Sequence, residues 1–271
     1  VQMLKSLGAR VVVHYHNKGV SNYQQKPLFD FCYKRFFKGL KVILLSELLY
    51  DDFSRYVERK DVEVCANGIP ELFTDEPAFN RKNDKVNILF LSNLIASKGV
   101  YVLLDALQIL KKQGYAVSCT FVGGETQEIS AETFAQAVAQ RRLDDTAVYA
   151  GSKYGEAKAA CFEQTDIFVF PTFYHNESFP LVNLEAMQYK LPVISTDEGG
   201  IRDIVEDGVT GFIVPKENAT ALAEKIAILI DDGELRRKMG EAGYKRYKEL
   251  FTLPIFETRF VQTLQKVCDQ R

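Results

Sequence analysis

NESFPLVNLEAM, residues 176–187, sets Glu177 and Glu185 on either side of a loop-to-helix junction with seven residues between them. Pro180 is tolerated in the first turn of a helix, Ser178 is a candidate N-cap, and Leu181, Leu184, Glu185 and Met187 continue at helical spacing. Glu177 is therefore expected in the loop before the helix and Glu185 one to two turns inside it. Free backbone N–H groups at a helix start attract phosphate, and carboxylates on either side accept hydrogen bonds from sugar hydroxyls. One element can thus hold three parts of a sugar nucleotide. Spacing alone is equally satisfied by a helix start with an acidic first turn.

The flanks decide between the two. TDIFVFPTFYH (residues 165–175) is an apolar strand ending in Pro171, and YKLPVISTDEGGIRDIVEDGVTGFIVP (residues 189–215) runs strand, Gly-Gly turn, short helix and glycine turn. Apolar strand-like runs alternate with helical segments along the whole chain, the pattern of an α/β protein with mostly parallel sheets. The first part predicts strands at residues 10–14, 41–45 and 62–65 and helices at 22–37 and 48–59, closed by Asn67-Gly68 and Pro70. The polar stretch TDEPAFNRKNDK, from Thr74 to Lys85, has the composition of a linker between domains. A second series then predicts strands at 86–91, 116–122, 147–149, 166–170, 192–195 and 211–214. Helices fall between them at 100–113, 131–142, 155–164, 181–189 and 200–205, and 219–230, 234–250 and 255–267 follow.

The chain has 271 residues, 46% of them apolar, enough to bury two cores. A net charge of −2 offers no basic field for nucleic acid, and three histidines are too few to suggest a metal cluster. Cys32, Cys65, Cys119, Cys161 and Cys268 lack any Cys-x-x-Cys pairing and read as reduced, mostly buried thiols of a cytoplasmic protein. No apolar run approaches the roughly 18–20 residues that span a bilayer. The opening VQMLKSLGARVVVHYHN has no initiator Met and reads as a helix entering a strand partway through a fold, so a preceding portion is expected.

Several segments carry candidate chemistry. FLSNLIASKG (residues 90–99) follows the first strand of the second series and precedes a helix, a crossing where open α/β sheets bind ligands. Lys98 can place its ammonium against a diphosphate, and Gly99 lets backbone come close; a surface lysine beside a turn glycine is the plainer account. Gly123 and Gly124 end the next strand, where a tight turn or close ligand approach would use them. His14 and His16 share a face of an extended strand, but no carboxylate or cysteine at suitable spacing joins them into a metal site. FDFCYKRFFKGLK (residues 29–41) mixes aromatic and basic residues. It suits a helix on an anionic membrane surface, or, more simply, a core-facing stripe of Phe29, Cys32, Tyr33, Phe36 and Phe37 with Lys34, Arg35 and Lys38 outside.

Together the 165–215 block and the SKG loop resemble the donor-binding half of the family 4 retaining glycosyltransferases, and the resemblance covers nearly the whole chain. It implies the GT-B architecture: two Rossmann-like domains with parallel sheets, the N-terminal one incomplete over residues 1–73. The donor domain would span 74–252, and a C-terminal helix within 253–271 would cross back onto the first domain. It implies that Lys98 contacts the donor diphosphate, while Asn93 stands where many members keep an arginine. Glu177 looks like the first glutamate of the family motif, near donor sugar and phosphates, and Glu185 like the second, on the ribose hydroxyls. Ser178, Phe179, Pro180 and Leu181 would line the phosphate and hexose, with Gly123 a secondary donor contact. The loop at residues 149–153 resembles the one that meets the base through backbone atoms. His16 lies where the family keeps a histidine facing donor sugar and acceptor, with His14 the fallback, and His175 lies close to the motif. Gly199 and Gly200 are read as a strand-to-helix turn.

The implied activity is hexose transfer from a nucleotide diphosphate sugar to an acceptor hydroxyl with retention, without metal or cofactor, in cell-surface polysaccharide or glycolipid synthesis. The implied partners are the nucleotide-sugar donor and a saccharide or lipid-linked acceptor, with peripheral contact at the inner membrane face. A sugar-nucleotide epimerase would need flanking acid/base side chains, and no convincing pair is visible. A binding module without turnover is the other alternative.

Overall fold

The computed structural model describes residues 1–73, 75, 77 and 85–269 of the chain. Nearly all of the connector expected at Thr74–Lys85 therefore lies outside the described residues.

The first region opens with α1 (Gln2–Ser6) and holds three short parallel strands, β1 (Val12–Tyr15), β2 (Lys41–Leu44) and β3 (Val62–Val64), paired in that order. Val42, Ile43 and Leu44 of the central strand are fully buried, whereas all four residues of β1 are only half-buried. α2 (Pro27–Phe37) joins β1 to β2 and starts later than the expected Asn22, because proline fits the first turn of a helix and not its interior. The core-facing stripe expected on this helix is mostly not one. Phe37 is buried against Phe53 and Tyr33 half-buried against Tyr56, but Phe29, Cys32 and Phe36 are exposed. Three short strands cover only the narrow face of α2 that points straight at them.

Residues 48–59 also differ from expectation. A 3-10 turn, Glu47–Asp52, stands in place of an α-helix, its start capped by Ser46, whose Oγ accepts from the Leu48 amide at 3.1 Å. Asp52 ends the turn facing inward, accepting from the Gly19, Val20 and Ser21 amides and from the Ser21 and Tyr15 hydroxyls at 2.6–3.1 Å. Burial pushes the Asp52 carboxyl up, but these donors outweigh it and hold it below the usual carboxylate range. The cysteines are less interior than expected: Cys65 and Cys119 are buried, Cys161 is half-buried, and Cys32 and Cys268 are exposed.

The second region is a six-stranded, all-parallel sheet of β4 (Val86–Leu91), β5 (Val117–Val122), β6 (Ala147–Tyr149), β7 (Ile167–Phe170), β8 (Val193–Thr196) and β9 (Gly211–Val214). Between and after the strands come α3 (Val100–Lys112), α4 (Ala131–Gln140), α5 (Gly155–Glu163), α6 (Leu181–Gln188), α7 (Ile201–Ile204), α8 (Ala219–Asp231), α9 (Gly233–Leu250) and α10 (Leu253–Asp269). Every residue of β7 and β8 is buried, as expected of near-continuous Val, Ile and Phe runs covered on both faces. The order β6-β5-β4-β7-β8-β9 reverses direction between β4 and β7. That switch point opens a crevice at the carboxyl ends of the strands, where doubly wound sheets bind ligands.

The two sheets are tied together. Ile69 bridges to Thr252, donating to the Phe251 carbonyl and accepting from the Leu253 amide, each at 2.9 Å. From there α10 runs back over the first sheet, stacking Phe260 on His14 at 5.0 Å between ring centroids and pairing Lys266 with Glu63 at 2.7 Å.

Candidate functional site

The switch point collects the loops after β4 and β7. Phe173 donates its amide to the Ser97 carbonyl at 2.8 Å, and Gly99, in the left-handed conformation at φ 91°, lies where a Cβ would stand 2.3 Å from the Pro171 carbonyl oxygen. The close approach that Gly99 permits is thus to Pro171 rather than to open cleft. It sets Lys98 over the Tyr174 ring, 4.4 Å from its centroid, and brings its Nζ to 2.6 Å from Glu177 Oε2. Both side chains are largely buried, at 16% and 11% exposure, so the pair is screened little by solvent. Thr172 Oγ1 adds a longer contact to the same oxygen at 3.4 Å. An ammonium has three N–H groups, so Lys98 can hold Glu177 and a phosphate oxygen together.

Glu177 itself is positioned by the turn after β8. A Cβ on Gly199, at φ 56°, would lie 2.3 Å from the Glu177 carbonyl oxygen, and the Gly200 amide donates to the Ser178 carbonyl at 2.7 Å. The glycine pair therefore clamps the motif loop as well as turning the chain. Ser178 is not the helix cap: Pro180 occupies that position, and Ser178 Oγ instead donates to the His16 carbonyl at 2.7 Å. Pro180 has no N–H and Phe179 is buried on Phe251, so the donors at the α6 start are the first amides after Pro180.

Glu185 lies on α6, where Lys158 of α5 engages its Oε1 at 2.7 Å, while its Oε2 is buried with no partner among the described residues. An uncompensated buried carboxylate oxygen is costly, and a ligand hydroxyl is a fitting donor for it. Beside it runs a cleft of about 650 Å³, lined by Ile69, Pro70, Lys158, Leu181, Glu185 and Tyr189, within the size range of ligand sites.

The remaining candidates divide. Asn93 Oδ1 accepts from the Gly124 amide at 3.1 Å, a contact that shapes the loop. A Cβ on Gly123 would fall 1.8 Å from the Ser92 carbonyl oxygen, so that glycine lets the ends of β4 and β5 pack closely. His16 is exposed, with Nε2 3.0 Å from His14 Nδ1. Burial, then His16, lowers His14 to about 4. His175 is exposed beside Tyr174. Among the described residues no three His, Cys, Asp or Glu side chains group so as to hold a metal ion.

Sequence reasoning missed Lys158, Tyr174, Asp52 and the ion pairs of Glu198. Buried Glu198 meets Lys18 from the first region and Lys216 at 2.8 Å, and burial pushes its carboxyl up less than the two lysines hold it down. None of these carries a local signal, since each acts through partners 18 or more residues away in the chain, Tyr174 through Lys98 above its ring.

Two facing parallel sheets, a doubly wound order and an ion pair at the switch point define an α/β protein of GT-B type. Residues 71–246 match the family Glycosyl transferases group 1, and the chain belongs to it. It is 32% identical to the capsular polysaccharide biosynthesis glycosyltransferase CapM of Staphylococcus aureus, over 64% of this chain and 44% of CapM. It is 29% identical to the amylovoran biosynthesis glycosyltransferase AmsK of Erwinia amylovora, over 88% of this chain and 58% of AmsK. HepE of Anabaena, solved in complex with UDP, superposes with a TM-score of 0.83 at 18% identity, over 97% of this chain and 74% of HepE. The chain spans about half the length of the curated relatives it matches.

Proposed function

We propose that this chain forms the donor side of a glycosyltransferase that moves a hexose from a nucleotide diphosphate sugar to an acceptor hydroxyl with retention, in cell-surface polysaccharide or glycolipid synthesis at the cytoplasmic side. The observation that carries the reading is the Lys98–Glu177 pair, held at 2.6 Å at the switch point beside the start of α6. In transfer, the bond from the anomeric carbon to the diphosphate oxygen breaks and one to the acceptor oxygen forms, with loss of the acceptor proton. Negative charge grows on the departing diphosphate, so Lys98 and the α6 amides stabilise it most at the transition state. Glu177 would take donor-sugar hydroxyls and share Lys98 with the phosphates, Glu185 Oε2 would accept from the ribose, and the loop bearing His16 would bring the acceptor to the same face of the sugar. With Asn93 in place of an arginine, Lys98 carries most of the phosphate neutralisation, and no metal is required.

The division of labour follows residues 1–73 on the acceptor side, 74–252 on the donor side and 253–271 as the returning helix. Calorimetric titration with UDP, GDP and their hexose conjugates, in chelator and then with magnesium, tests this. Selective, metal-independent binding of one nucleotide is expected, and Glu185→Ala should weaken it roughly tenfold through lost ribose contacts. Failure of every nucleotide to bind would sink the reading. Donor binding with no transfer to any acceptor would reduce the chain to a binding module.

A further inference from the structure

His14 lies in β1 and His16 just past its end, and their side chains meet on one face, with His16 Nε2 3.0 Å from His14 Nδ1 and the ring centroids 4.1 Å apart. The two rings differ in what surrounds them. His14 sits opposite Ile43 of the central strand and is covered by α10, whose Phe260 and Phe256 stack on it at 5.0 Å and 6.5 Å between centroids. Its far nitrogen, Nε2, is buried with no hydrogen-bond partner among the described residues. His16 is exposed, and its carbonyl accepts from Ser178 Oγ at 2.7 Å, which sets the residue beside the loop that carries Glu177.

A hydrogen bond between two imidazoles needs a proton on one of the facing nitrogens and a lone pair on the other. Burial, then His16, lowers His14 to about 4, so near neutral pH its ring carries a single proton. On Nε2 that proton would leave a buried N–H with nothing to donate to. On Nδ1 it is donated to His16, and Nε2 is left only as an acceptor short of a partner, the less rare of the two arrangements in protein interiors. Solvent reaches His16 and serves either of its tautomers, so the buried ring decides for both. With His14 Nδ1–H donating, His16 Nε2 must accept, and a neutral His16 then holds its own proton on Nδ1.

We propose that His14 is a positioning residue that fixes His16 as the Nδ1–H tautomer, so that His16 meets the substrates as a hydrogen-bond donor and takes up no proton at that nitrogen. The same bond restrains the rotation of an otherwise exposed ring. Two histidines one residue apart thus divide their work by burial: the inner ring is packed and aimed, and the outer ring is presented. The effect on transfer rests on the glycosyltransferase reading, whereas the tautomer of His16 does not.

Two-bond proton–nitrogen correlation spectra of the chain labelled with 15N-histidine, at mildly alkaline pH, test it. The chain has three histidines, and exposed His175 serves as the internal reference. The Nδ1–H pattern is expected for both His14 and His16. His14→Phe keeps a ring for Phe256 and Phe260 to stack on but cannot donate, so His16 should move to the tautomer mixture of His175. His14→Asn loses the stacking but sets an amide N–H near the former Nδ1, and should return His16 to Nδ1–H. In transfer assays His14→Phe should lower kcat on the order of fivefold with the donor KM little changed, as for one lost hydrogen bond, and His14→Asn should recover most of it. A packing role alone would reverse that order, sparing the phenylalanine and penalising the asparagine. Wild-type His16 found as Nε2–H, an unchanged His16 pattern in His14→Phe, or wild-type kcat in His14→Phe overturns the proposal. The Nδ1–H pattern in a chain that binds no nucleotide would support the pairing while sinking the glycosyltransferase reading.

Discussion

The two sheets follow the same parallel logic yet hold their loops in different ways. In the six-stranded region β7 and β8 are buried at every position, and the loops after β4, β5, β7 and β8 interlock through backbone contact at Gly99, Gly123 and Gly199. In the three-stranded region β1 is half-buried throughout, and the loop after it is held by side chains: Asp52 accepts from three amides and two hydroxyls, Lys18 pairs with Glu198, and Ser178 donates to the His16 carbonyl. Backbone interlock restricts how those loops can shift. Hydrogen bonds and an ion pair from side chains hold the loop carrying His16 and Lys18.

Five substitutions probe that contrast. Lys98→Ala should have the largest effect, lowering transfer on the order of a hundredfold or more, as for removal of one preorganised charge-stabilising group, while the melting temperature moves little by comparison. Wild-type turnover would return Lys98 to a structural role and leave the switch point without its cation. Gly123→Ala comes next. With its Cβ 1.8 Å from the Ser92 carbonyl oxygen it should destabilise the fold by about 3 kcal/mol. Gly114→Ala, also at positive φ but with open space around the added carbon, should cost only about 1 kcal/mol. Equal losses in chemical denaturation would show that backbone conformation, and not interlock, matters at both.

On the other side, Asp52→Ala should cost about 2 kcal/mol by leaving half-buried donors unpaired, and should raise hydrogen exchange at Gly19, Val20 and Ser21 ahead of any change in the six-stranded region. Uniform exchange throughout would erase the distinction between the regions. His14 gives the smallest effect. Its folded value, about 4, lies below the unfolded 6.5, so below pH 6.5 the unfolded chain takes up the proton first. Stability therefore falls as the pH drops from 6.5 to about 4 and changes no further on this account below that. Thermal melts of His14→Gln across that window should show a shallower acid-side loss than wild type.

The six-stranded region was legible in advance because its strands are apolar-rich runs separated by turn and helical segments, with the start of α6 read correctly after Pro180, Glu177 before it and Glu185 inside it. Where reading failed, a long-range partner had overruled a local preference. Residues 48–59 have helical composition, yet Asp52 is drawn inward by donors some 31–37 residues earlier in the chain. Ser178 has the chemistry of a cap, yet its hydroxyl finds the His16 carbonyl 162 residues away. The aromatic positions of α2 have core spacing, but spacing cannot tell how wide a sheet lies beneath them.

Sequence alone determined the alternation of strand and helix, the strand-to-helix loop that carries Lys98, and which glutamates flank the start of α6, because hydrophobic period, turn residues and proline act within a few positions. Only the tertiary structure decided that Lys98 meets Glu177, that Lys158 takes one oxygen of Glu185 and leaves the other open, that Gly123 packs against Ser92, and which face of α2 is exposed. Each of these depends on distances between segments far apart in the chain, and those are set by how sheets and loops pack rather than by what any segment prefers on its own.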